Sequence, residues 1–411
     1  MSSGEYDIVI VGGGAAGLMA AAVAAGKKCR VALLEKNTEC GRKMLITGKG
    51  RCNITNSRKW EDFKSHIYPD SNFFRPSFMA FSNDDTVEFL NSMGLKTVEE
   101  RGMRVFPLSG RSSDVRDALV SHIHRGGNVS LFTGTEVLSV NPRPKGGFDI
   151  TALFLGNRMR AGHIAARCVI IATGGLSYPL TGSTGDGYRF ASRLGHSIVS
   201  TQPSLTALIP YNYNFGLIGL TLRNVSLSLE VDGGVVQQEF GELSFTKGGI
   251  EGALGFRVSR KAVHALVAGS KVSVVIDLKP ALQEQVLRDR IQREYRKDVK
   301  LSRYLERLLP LQAVKPFMDS DPSLSVNNLP VKLKHWRFDV KDYVDYSRAV
   351  VTSGGVSLKE ISRKTMESKV VPGLYFAGEV MDLDGDTGGY NLQIAFSTAA
   401  AAVNAAMASG R

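Results

Sequence analysis

The chain has 411 residues, more than one ordinary hydrophobic core accommodates, so two or three domains are expected. Its 43 % hydrophobic and 22 % charged residues are typical of a globular protein, and no apolar run reaches the length of a membrane span. The N-terminal apolar stretch is interrupted by glycines and follows no basic region, which argues against a signal peptide and predicts a cytoplasmic protein.

The first three elements are predicted to be a strand, a helix and a second strand. Residues 6–11 form a short apolar and β-branched run of the kind found in central parallel strands. Small residues over 15–25 indicate a closely packed helix, and residues 30–34 indicate a second buried strand followed by Glu35. This order is that of a dinucleotide-binding β-α-β unit.

Three glycines, Gly12, Gly14 and Gly17, follow the first strand at the G-x-G-x-x-G spacing. The first permits a tight turn, the second lets backbone amides approach a pyrophosphate, and the third lets the helix pack close to the strand. The helix N-terminus adds unpaired N–H groups and a partial positive charge. A carboxylate such as Glu35 accepts hydrogen bonds from ribose hydroxyls, so this segment predicts a dinucleotide site.

The net charge of +12 lies mainly in residues 1–195, and much of it falls between residues 42 and 75. That segment has only three acidic residues among Arg42, Lys43, Lys49, Arg51, Arg58, Lys59, Lys64 and Arg75, interleaved with Trp60, Phe63, Tyr68, Phe73 and Phe74. A nucleic-acid surface needs this combination, because phosphates attract cations and bases stack on aromatic rings. The alternative is a solvated charged loop in which some residues neutralise the cofactor.

Alternating strands and helices are predicted to continue to about residue 195. Helices are expected over 83–93 and 113–125, and strands over 128–132, 136–140, 148–154 and 167–172. The three strands between 128 and 154 are expected to form a small antiparallel excursion. The last strand is fully apolar and ends in Thr173-Gly174-Gly175, which indicates a return to the central sheet.

An inserted region is predicted over residues 196–345. Alternation over 220–242 around Asp232-Gly233-Gly234 is a hairpin pattern, residues 272–278 form another strand, and 281–309 are helical and rich in Arg and Lys. Strands over 350–356 and 373–377 and an alanine-rich helix over 389–407 then complete the first domain. We expect a nucleotide-binding domain over 1–195 and 346–411, an inserted β domain over 196–250 and 331–345, and a mainly helical part over 251–330.

Three further loops are suited to a ligand, over residues 45–56, 183–187 and 378–391. The last places Gly388, Gly389 and Tyr390 at a second helix N-terminus, where amides can face a phosphate or a flavin ring. Asp382 or Asp386 would bind a ribityl hydroxyl. Any one loop alone is also explained as a turn that needs glycine, but three such turns in one dinucleotide fold favour the functional interpretation.

The sequence resembles the bacterial BaiN/RdsA-like (YhiN-type) FAD-dependent oxidoreductases over essentially its whole length. The matching segments are residues 12–17, 35–36, 41–43, 48–56, 104–107, 184–187, 351–356 and 373–396. The resemblance implies an α/β fold with a glutathione-reductase-like, Rossmann-type FAD-binding domain, interrupted by an inserted β domain that carries a small helical domain. It also implies tightly bound FAD, with the Arg-Cys-Asn loop and the Gly-Gly-Tyr-Asn-Leu turn against the flavin.

These arguments together give the predicted site. The cofactor-binding residues are Gly12, Gly14, Ala15, Ala16, Gly17, Glu35, Lys36, Arg42, Lys43, Gly48, Gly50, Asn56, Val137, Thr173, Gly174, Gly378, Glu379, Asp386, Gly389, Tyr390, Asn391 and Leu392. The candidate catalytic residues are Arg51, Cys52 and Asn53. One departure from the family is Lys247, where many members have a histidine; if that histidine contacts substrate, the substrate or proton donor is expected to differ here.

The expected chemistry is transfer of a hydride from the flavin, reduced by NADH or NADPH, to a carbon–carbon double bond conjugated to a carbonyl. The four cysteines (Cys29, Cys40, Cys52 and Cys168) contain no C-x-x-C pair, which argues against a redox dithiol and a structural zinc site. Arg51 and Cys52 are the candidate proton donors; Arg51 alternatively contacts the flavin, and Cys52 alternatively is a small core residue.

Three functions stay open on the sequence. The first is reduction of uridine to dihydrouridine in ribosomal RNA, which the resemblance implies for some members and the basic segment suits. The second is reduction or oxidation of a free small molecule such as an enone or an amine. The third is a flavin-binding partner of RNA or protein without catalytic activity.

Overall fold

The computed structural model describes residues 5–155 and 159–409, which form two compact units. Unit 1 comprises Met1–Gln202 and Val351–Arg411, and unit 2 comprises Pro203–Val350. The three-part division predicted above stays a prediction. No helix in the described ranges is both long and apolar enough to cross a bilayer.

The strands and helices alternate through unit 1 and cluster by type in unit 2. The strands are β1 (Tyr6–Val11), β2 (Val31–Leu34), β3 (Thr55–Asn56), β4 (Ile67–Tyr68), β5 (Thr97–Glu100), β6 (Arg104–Pro107), β7 (Val129–Phe132), β8 (Thr135–Pro142), β9 (Phe148–Leu155), β10 (Met159–Ile171), β11 (Ile198–Ser204), β12 (Leu208–Pro210), β13 (Thr221–Val231), β14 (Gly234–Thr246), β15 (Gly249–Glu251), β16 (Val272–Asp277), β17 (Trp336–Tyr343), β18 (Val351–Val356), β19 (Leu374–Phe376) and β20 (Asp384–Gly385). The helices are α1 (Ala15–Ala24), α2 (Arg42–Ile46), α3 (Trp60–Phe63), α4 (Ser71–Ala80), α5 (Asn83–Ser92), α6 (Ser112–Gly126), α7 (Asp186–Arg193), α8 (Gly252–Val267), α9 (Glu284–Glu294), α10 (Leu301–Leu305), α11 (Leu311–Asp319), α12 (Leu329–Lys334) and α13 (Tyr390–Ala408).

The main sheet of unit 1 has the order β7-β2-β1-β10-β9-β8, with β19 also paired to β10. The pairings β7–β2, β2–β1, β1–β10 and β10–β19 are parallel, whereas β10–β9 and β9–β8 are antiparallel. The expected antiparallel excursion is therefore wrong for β7, in which Val129 pairs in parallel with Val31. The reason is α6, because a helical crossover returns the chain parallel to its sheet.

The sheet core is apolar on both faces, as expected for parallel strands covered by helices. All four residues of β2 and most of β1 are buried. The helices α1 and α13 pack in the same hydrophobic cluster, largely through alanines, which let backbones approach closely. Because β1, β2, β10 and β19 are parallel, their carboxyl ends meet at one edge of the sheet, where ligands bind in open α/β folds.

Unit 2 contains a closed antiparallel barrel of the strands β12-β15-β14-β13-β16-β17. Its hairpin between β13 and β14 is confirmed, and Asp232 (φ 50°) and Gly233 (φ 84°) occupy the left-handed positions of a tight turn. The helices α8 to α12 contribute to the same hydrophobic cluster as the barrel.

The helix predicted over 281–309 is wrong as a continuous element. It is interrupted between α9 and α10, where Tyr295 is extended at φ −77° and ψ 128°. Apolar residues continue at four-residue spacing through the break, at Leu287, Ile291, Tyr295 and Val299, so the spacing alone does not reveal it.

Candidate functional site

The three glycines of the first loop each have a separate steric reason. A Cβ on Gly12 (φ +103°) would lie 2.6 Å from the carbonyl oxygen of Ala172, at the end of β10. A Cβ on Gly17 would lie 1.8 Å from the carbonyl oxygen of Gly12, because α1 packs directly on the turn. A Cβ on Gly14 would meet nothing within 4 Å. Open space at Gly14, beside a tightly packed turn, fits a group that approaches the backbone there.

The N-terminus of α1 lies at that open space. Gly14 is its N-cap and no side chain caps it, so the first N–H groups of the helix have no side-chain partner. Ala15 and Ala16 occupy its first turn. A Cβ on Gly378, just after β19, would lie 3.0 Å from the Cβ of Ala16, so the ends of β1 and β19 are close. This uncapped terminus fits the pyrophosphate of a dinucleotide.

The Glu35 carboxylate is held rigidly at the end of β2. Its Oε2 accepts the Gly13 N–H at 2.7 Å, and its Oε1 accepts from the backbone (2.8 Å) and side-chain (2.6 Å) nitrogens of Asn37. The side chain is buried. A carboxylate oxygen accepts about two hydrogen bonds, so Oε2 retains capacity for one ribose hydroxyl.

The three cations predicted to bind cofactor are each held by a protein side chain. Lys36 lies 2.7 Å from Asp186, Arg42 donates to Asn37 at 2.8 Å, and Lys43 lies 2.8 Å from Glu379. Glu379 also accepts the backbone N–H of Thr352 at 2.8 Å. Lys36 and Lys43 therefore connect distant segments, whereas Arg42 makes a local contact. Any charge that these cations offer a cofactor is shared with a carboxylate or an amide.

The loop after α2 is built from left-handed backbone conformations. Gly48, Lys49, Gly50 and Cys52 all have positive φ, between 57° and 83°. Cys52 is fully buried, and burial raises the pKa of its thiol to about 12. A buried thiol with that pKa neither reaches a ligand nor gives up its proton near neutral pH, so the structure favours the core interpretation of Cys52 over proton donation.

Arg51 is oriented by two neighbours in the β5–β6 hairpin. Its guanidinium forms an ion pair with Glu100 and lies 4.4 Å from the ring centroid of Phe106. The hydrogen bond that Arg51 donates to Glu100 raises the Arg51 pKa. An arginine stays charged at all physiological pH values, so Arg51 suits stabilisation of negative charge and not proton donation.

Two asparagines join the loop after α2, which contains Arg51 and is called the Arg51 loop below, to the turn before α13. In the amide orientation that satisfies both partners, Asn53 accepts the Gly389 N–H and donates to the Thr55 carbonyl, each at 3.1 Å. Asn56 donates to the Gly388 carbonyl at 3.1 Å. A Cβ on Gly389 would lie 2.4 Å from the Thr55 carbonyl, so this close approach requires glycine. The structure thus brings the two predicted flavin-facing segments together.

Tyr390 contributes its backbone to this turn, since its ring is 3 % exposed and packs 4.8 Å from Phe63. The same ring stacks on His66 at 4.4 Å, and His66 Nδ1 lies 2.8 Å from Asp386 Oδ2. Asn391 accepts the Gly385 N–H at 2.9 Å and so shapes the turn. Asp386, predicted to bind a ribityl hydroxyl, therefore already has a histidine partner.

Four predicted residues make less specific contributions. Thr173 and Gly174 follow β10, and Thr173 lies beside the position that a Cβ on Gly12 would occupy, at 2.9 Å. Leu392 lies in the first turn of α13 and is partly buried. Val137 is a buried residue of β8 at a register irregularity, and no described contact joins it to the glycine loop.

Four of the five aromatic residues of the basic segment are core residues and not a stacking surface, and only Tyr68 is partly exposed. Trp60, Phe63, Phe73 and Phe74 are between 0 and 8 % exposed and belong to the core cluster of unit 1, where the rings of Trp60, Phe63 and Phe74 pack with Phe78. Because buried rings cannot stack on bases, their burial argues against one of the two grounds for predicting nucleic-acid binding at residues 42–75.

Sequence reasoning missed three residues that position the site, namely Asn37, His66 and Glu100. Each pairs with a predicted residue, and Glu100 lies 49 positions from Arg51, whereas Asp386 lies 320 positions from His66. Only Asn37, two residues after Glu35, has a local signal, because Asx side chains commonly bond backbone two residues away.

The parallel sheet, the glycine loop and two uncapped helix N-termini at one side of unit 1 define a Rossmann-type, nucleotide-binding flavoprotein oxidoreductase. The chain belongs to the HI0933-like protein Rossmann domain family, whose model matches residues 6–405. The family resemblance and the fold class inferred from the residues are confirmed.

Curated relatives cover nearly the whole chain. The sequence is 30 % identical to a 3-dehydro-bile acid delta(4,6)-reductase of Clostridium scindens, over 95 % of this chain and 96 % of that protein. It is also 30 % identical to the ribosomal RNA dihydrouridine synthase of Escherichia coli K12, over 96 % of both. A ribosomal RNA dihydrouridine synthase of Haemophilus influenzae is 30 % identical over 95 % of this chain and 96 % of that protein.

Solved structures share the fold at low sequence identity. The 3-ketosteroid delta1-dehydrogenase of Sterolibacterium denitrificans matches with a TM-score of 0.54 and 14 % identity, covering 98 % of this chain and 100 % of that chain. The E. coli quinol fumarate reductase chain FrdA matches with a TM-score of 0.52 and 16 % identity, covering 100 % of this chain and 72 % of that chain.

Proposed function

We propose that this chain is an FAD-dependent reductase, using NADH or NADPH, that reduces a carbon–carbon double bond conjugated to a carbonyl. The leading substrate is a uridine of ribosomal RNA, which would become dihydrouridine. The observation that carries the proposal is the junction of the Arg51 loop with the α13 N-terminus, in the same unit as the first glycine loop. Two relatives named ribosomal RNA dihydrouridine synthases support the substrate.

Different residues would bind different parts of the cofactor. The N–H groups at the start of α1 would hold the pyrophosphate, and Glu35 would accept a hydroxyl of the adenosine ribose. The N-terminus of α13, held in place through Asn53 and Gly389, would direct its positive end at the flavin ring. Bound FAD supplies the hydride that reaches the substrate carbon.

Arg51 is proposed to act on the substrate carbonyl. Hydride addition to a conjugated double bond places negative charge on the carbonyl oxygen, and a fixed guanidinium stabilises that charge. Glu100 and Phe106 hold Arg51 in one orientation while 43 % of its side chain stays exposed. The burial of Cys52 leaves the proton to another donor, and solvent is the simplest one.

The direct test compares dihydrouridine in ribosomal RNA from cells with and without the gene. We expect one or more dihydrouridines to disappear on deletion and to return with the wild-type gene but not with R51A. Unchanged modification in the deletion strain would remove ribosomal RNA as substrate.

Reduction of a free enone is the second candidate, and the Clostridium scindens relative favours it. Lys247 is relevant to the choice between RNA and a free enone as substrate. It is exposed in the tight turn between β14 and β15, at a position where many family members have histidine. Turnover of a 3-keto steroid enone by the purified protein, without effect of deletion on RNA, would favour this function over the first.

A further inference from the structure

A polar cavity of about 490 Å³ lies in unit 2 around the break between α9 and α10. Three arginines contribute to its lining, namely Arg296 from the connecting segment, Arg303 from α10, and Arg307 just after it. Two glutamates, Glu294 and Glu306, also line it. The cavity is therefore charged, and its ligand chemistry depends on which of these charges are already neutralised.

Both glutamates already have cationic partners. Glu294 accepts from Arg290 Nε at 2.9 Å, and Glu306 accepts from Arg303 at 2.8 Å. The guanidinium groups of Arg296 and Arg307 form no hydrogen bond or ion pair with any residue in the described part of the chain. Two positive charges in the lining thus remain without a counter-charge.

Tyr304 adds a neutral donor to the same lining. It is 1 % exposed, and its hydroxyl forms no hydrogen bond of standard geometry with a residue that the structure describes. Burial, and after it the nearby Glu294 carboxylate, raises the pKa of this phenol, so it stays a neutral donor. A buried hydroxyl without a well-formed hydrogen bond is destabilising, and a ligand oxygen would accept that bond. Two forked guanidinium donors beside a phenol donor are the groups that recognise a phosphate.

The surrounding segment carries further cations without an acidic partner. Around the α9–α10 break the exposed cations Arg293, Arg296, Lys297, Lys300 and Arg307 have no ion-pair partner in the described structure. In the N-terminal segment Lys43, Arg51 and Lys64 are each paired with a glutamate. Lys49, Lys59 and Arg75 of that segment are exposed and have no ion-pair partner in the described ranges. Phosphate contacts are made by cations that are free to exchange counterions, so the α9–α10 segment is suited to phosphate contacts in addition to the N-terminal segment.

From these observations we infer that the cavity lined by Arg296, Arg307 and Tyr304 binds a backbone phosphodiester of the RNA substrate. The inference rests on the proposed function, since it assigns that RNA a second point of contact apart from the reacting base. Phosphate contacts fix position and carry no sequence information, so this site would set the affinity and not the choice of uridine.

The test uses the full-length, FAD-loaded protein and ribosomal RNA extracted from the deletion strain. Binding is measured across a series of KCl concentrations for wild type, for R296Q/R307Q, and for the control R223Q/K315Q, which removes two exposed charges elsewhere in unit 2. We expect the double variant R296Q/R307Q to reduce the slope of log K against log salt by roughly 1.5, because each lost phosphate contact removes about 0.7–0.9. The control should keep the wild-type slope.

A second variant separates the phosphate site from general charge. Tyr304→Phe removes one donor without changing charge, so affinity should fall about fivefold while the slope stays constant, as for one lost hydrogen bond of about 1 kcal/mol. If R296Q/R307Q and Y304F both bind RNA like wild type, the inference is overturned even though the proposed function stands. Wild type that neither binds nor modifies the RNA would overturn both. Calorimetric binding of inorganic phosphate, lost in R296Q/R307Q without change in RNA binding, would reassign the cavity to a free phosphate and overturn the RNA assignment.

Discussion

Gly14 and Gly17 lie three residues apart in the same motif, yet the structure gives them opposite tolerances for a methyl group. Gly17→Ala forces a Cβ to within 1.8 Å of a carbonyl oxygen, and we expect it to lower the free energy of unfolding of the apoprotein by at least about 2 kcal/mol. Gly14→Ala places its methyl in open space and should change that free energy by less than about 1 kcal/mol.

The same pair tests the cofactor site. The methyl group in G14A occupies the space that a pyrophosphate needs, so the Kd for FAD should rise at least about tenfold, or 1.4 kcal/mol. Urea unfolding of the apoprotein and fluorescence titration with FAD measure the two effects separately. Wild-type FAD affinity in G14A would contradict the placement of the pyrophosphate.

Two buried thiols make the free energy of unfolding depend on pH in the alkaline range. Burial raises the pKa of Cys40, helped by nearby Glu35, and that of Cys52, each to about 12. A thiol of the unfolded chain titrates near about 8.5, so above that pH only the unfolded state loses its proton. The free energy of unfolding should therefore be unaffected below about pH 8 and fall as the pH rises toward 12, by about 1.4 kcal/mol per pH unit and thiol.

Cys52→Ser and Cys52→Ala provide the matched comparison for this dependence. Both variants remove the titrating group. Both should therefore remove the contribution of one thiol from the slope of the free energy of unfolding against pH between pH 9 and 10.5. Their stabilities at pH 8 should differ, because serine adds a polar group to the core. A wild-type slope in C52S would show that this thiol is accessible in the folded protein.

At the scale of elements, the sequence predicts best where consecutive segments pair with each other. The β1-α1-β2 unit is predictable because its strands, glycines and helix are adjacent in the chain and each has a strong local pattern. The direction of β7 is not predictable, because it depends on which strand β7 pairs with. The break between α9 and α10 is not predictable either, because the apolar spacing continues through it. Aromatic residues at 60–74 gave a misleading pattern, because interleaved charge and aromatic side chains also occur where a short helix buries one face.

The junction between the Arg51 loop and α13 is an element-scale prediction. Asn53→Ala removes the acceptor of the Gly389 N–H and the donor to Thr55, so we expect the α13 N-terminus to lose its fixed position and FAD affinity to fall about five- to tenfold. Asn141→Ala, at an exposed asparagine of β8, is the control. Equal FAD affinities in the two variants, by fluorescence titration, would show that the junction does not support the cofactor.

At the scale of the whole molecule, composition and motif order predict the family and the flavin fold, because both depend on many residues at once. Partner choice is not predictable in the same way. Lys43 and Glu379 lie 336 positions apart, and Lys36 and Asp186 lie 150 apart, so no local pattern reveals that these cations are already paired. Cations without an acidic partner, such as Arg296 and Arg307, become visible only after the pairs are known.

We propose that this site passes reducing equivalents to a conjugated double bond of RNA. Anaerobic reoxidation of the NADPH- or NADH-reduced, FAD-loaded protein by ribosomal RNA from the deletion strain tests it most directly, with the flavin absorbance followed in a single turnover. We predict rapid reoxidation that yields dihydrouridine, a rate at least tenfold lower in R51A, and an unchanged rate in C52A. A flavin that stays reduced with this RNA, but is reoxidised by a steroid enone, would contradict the account.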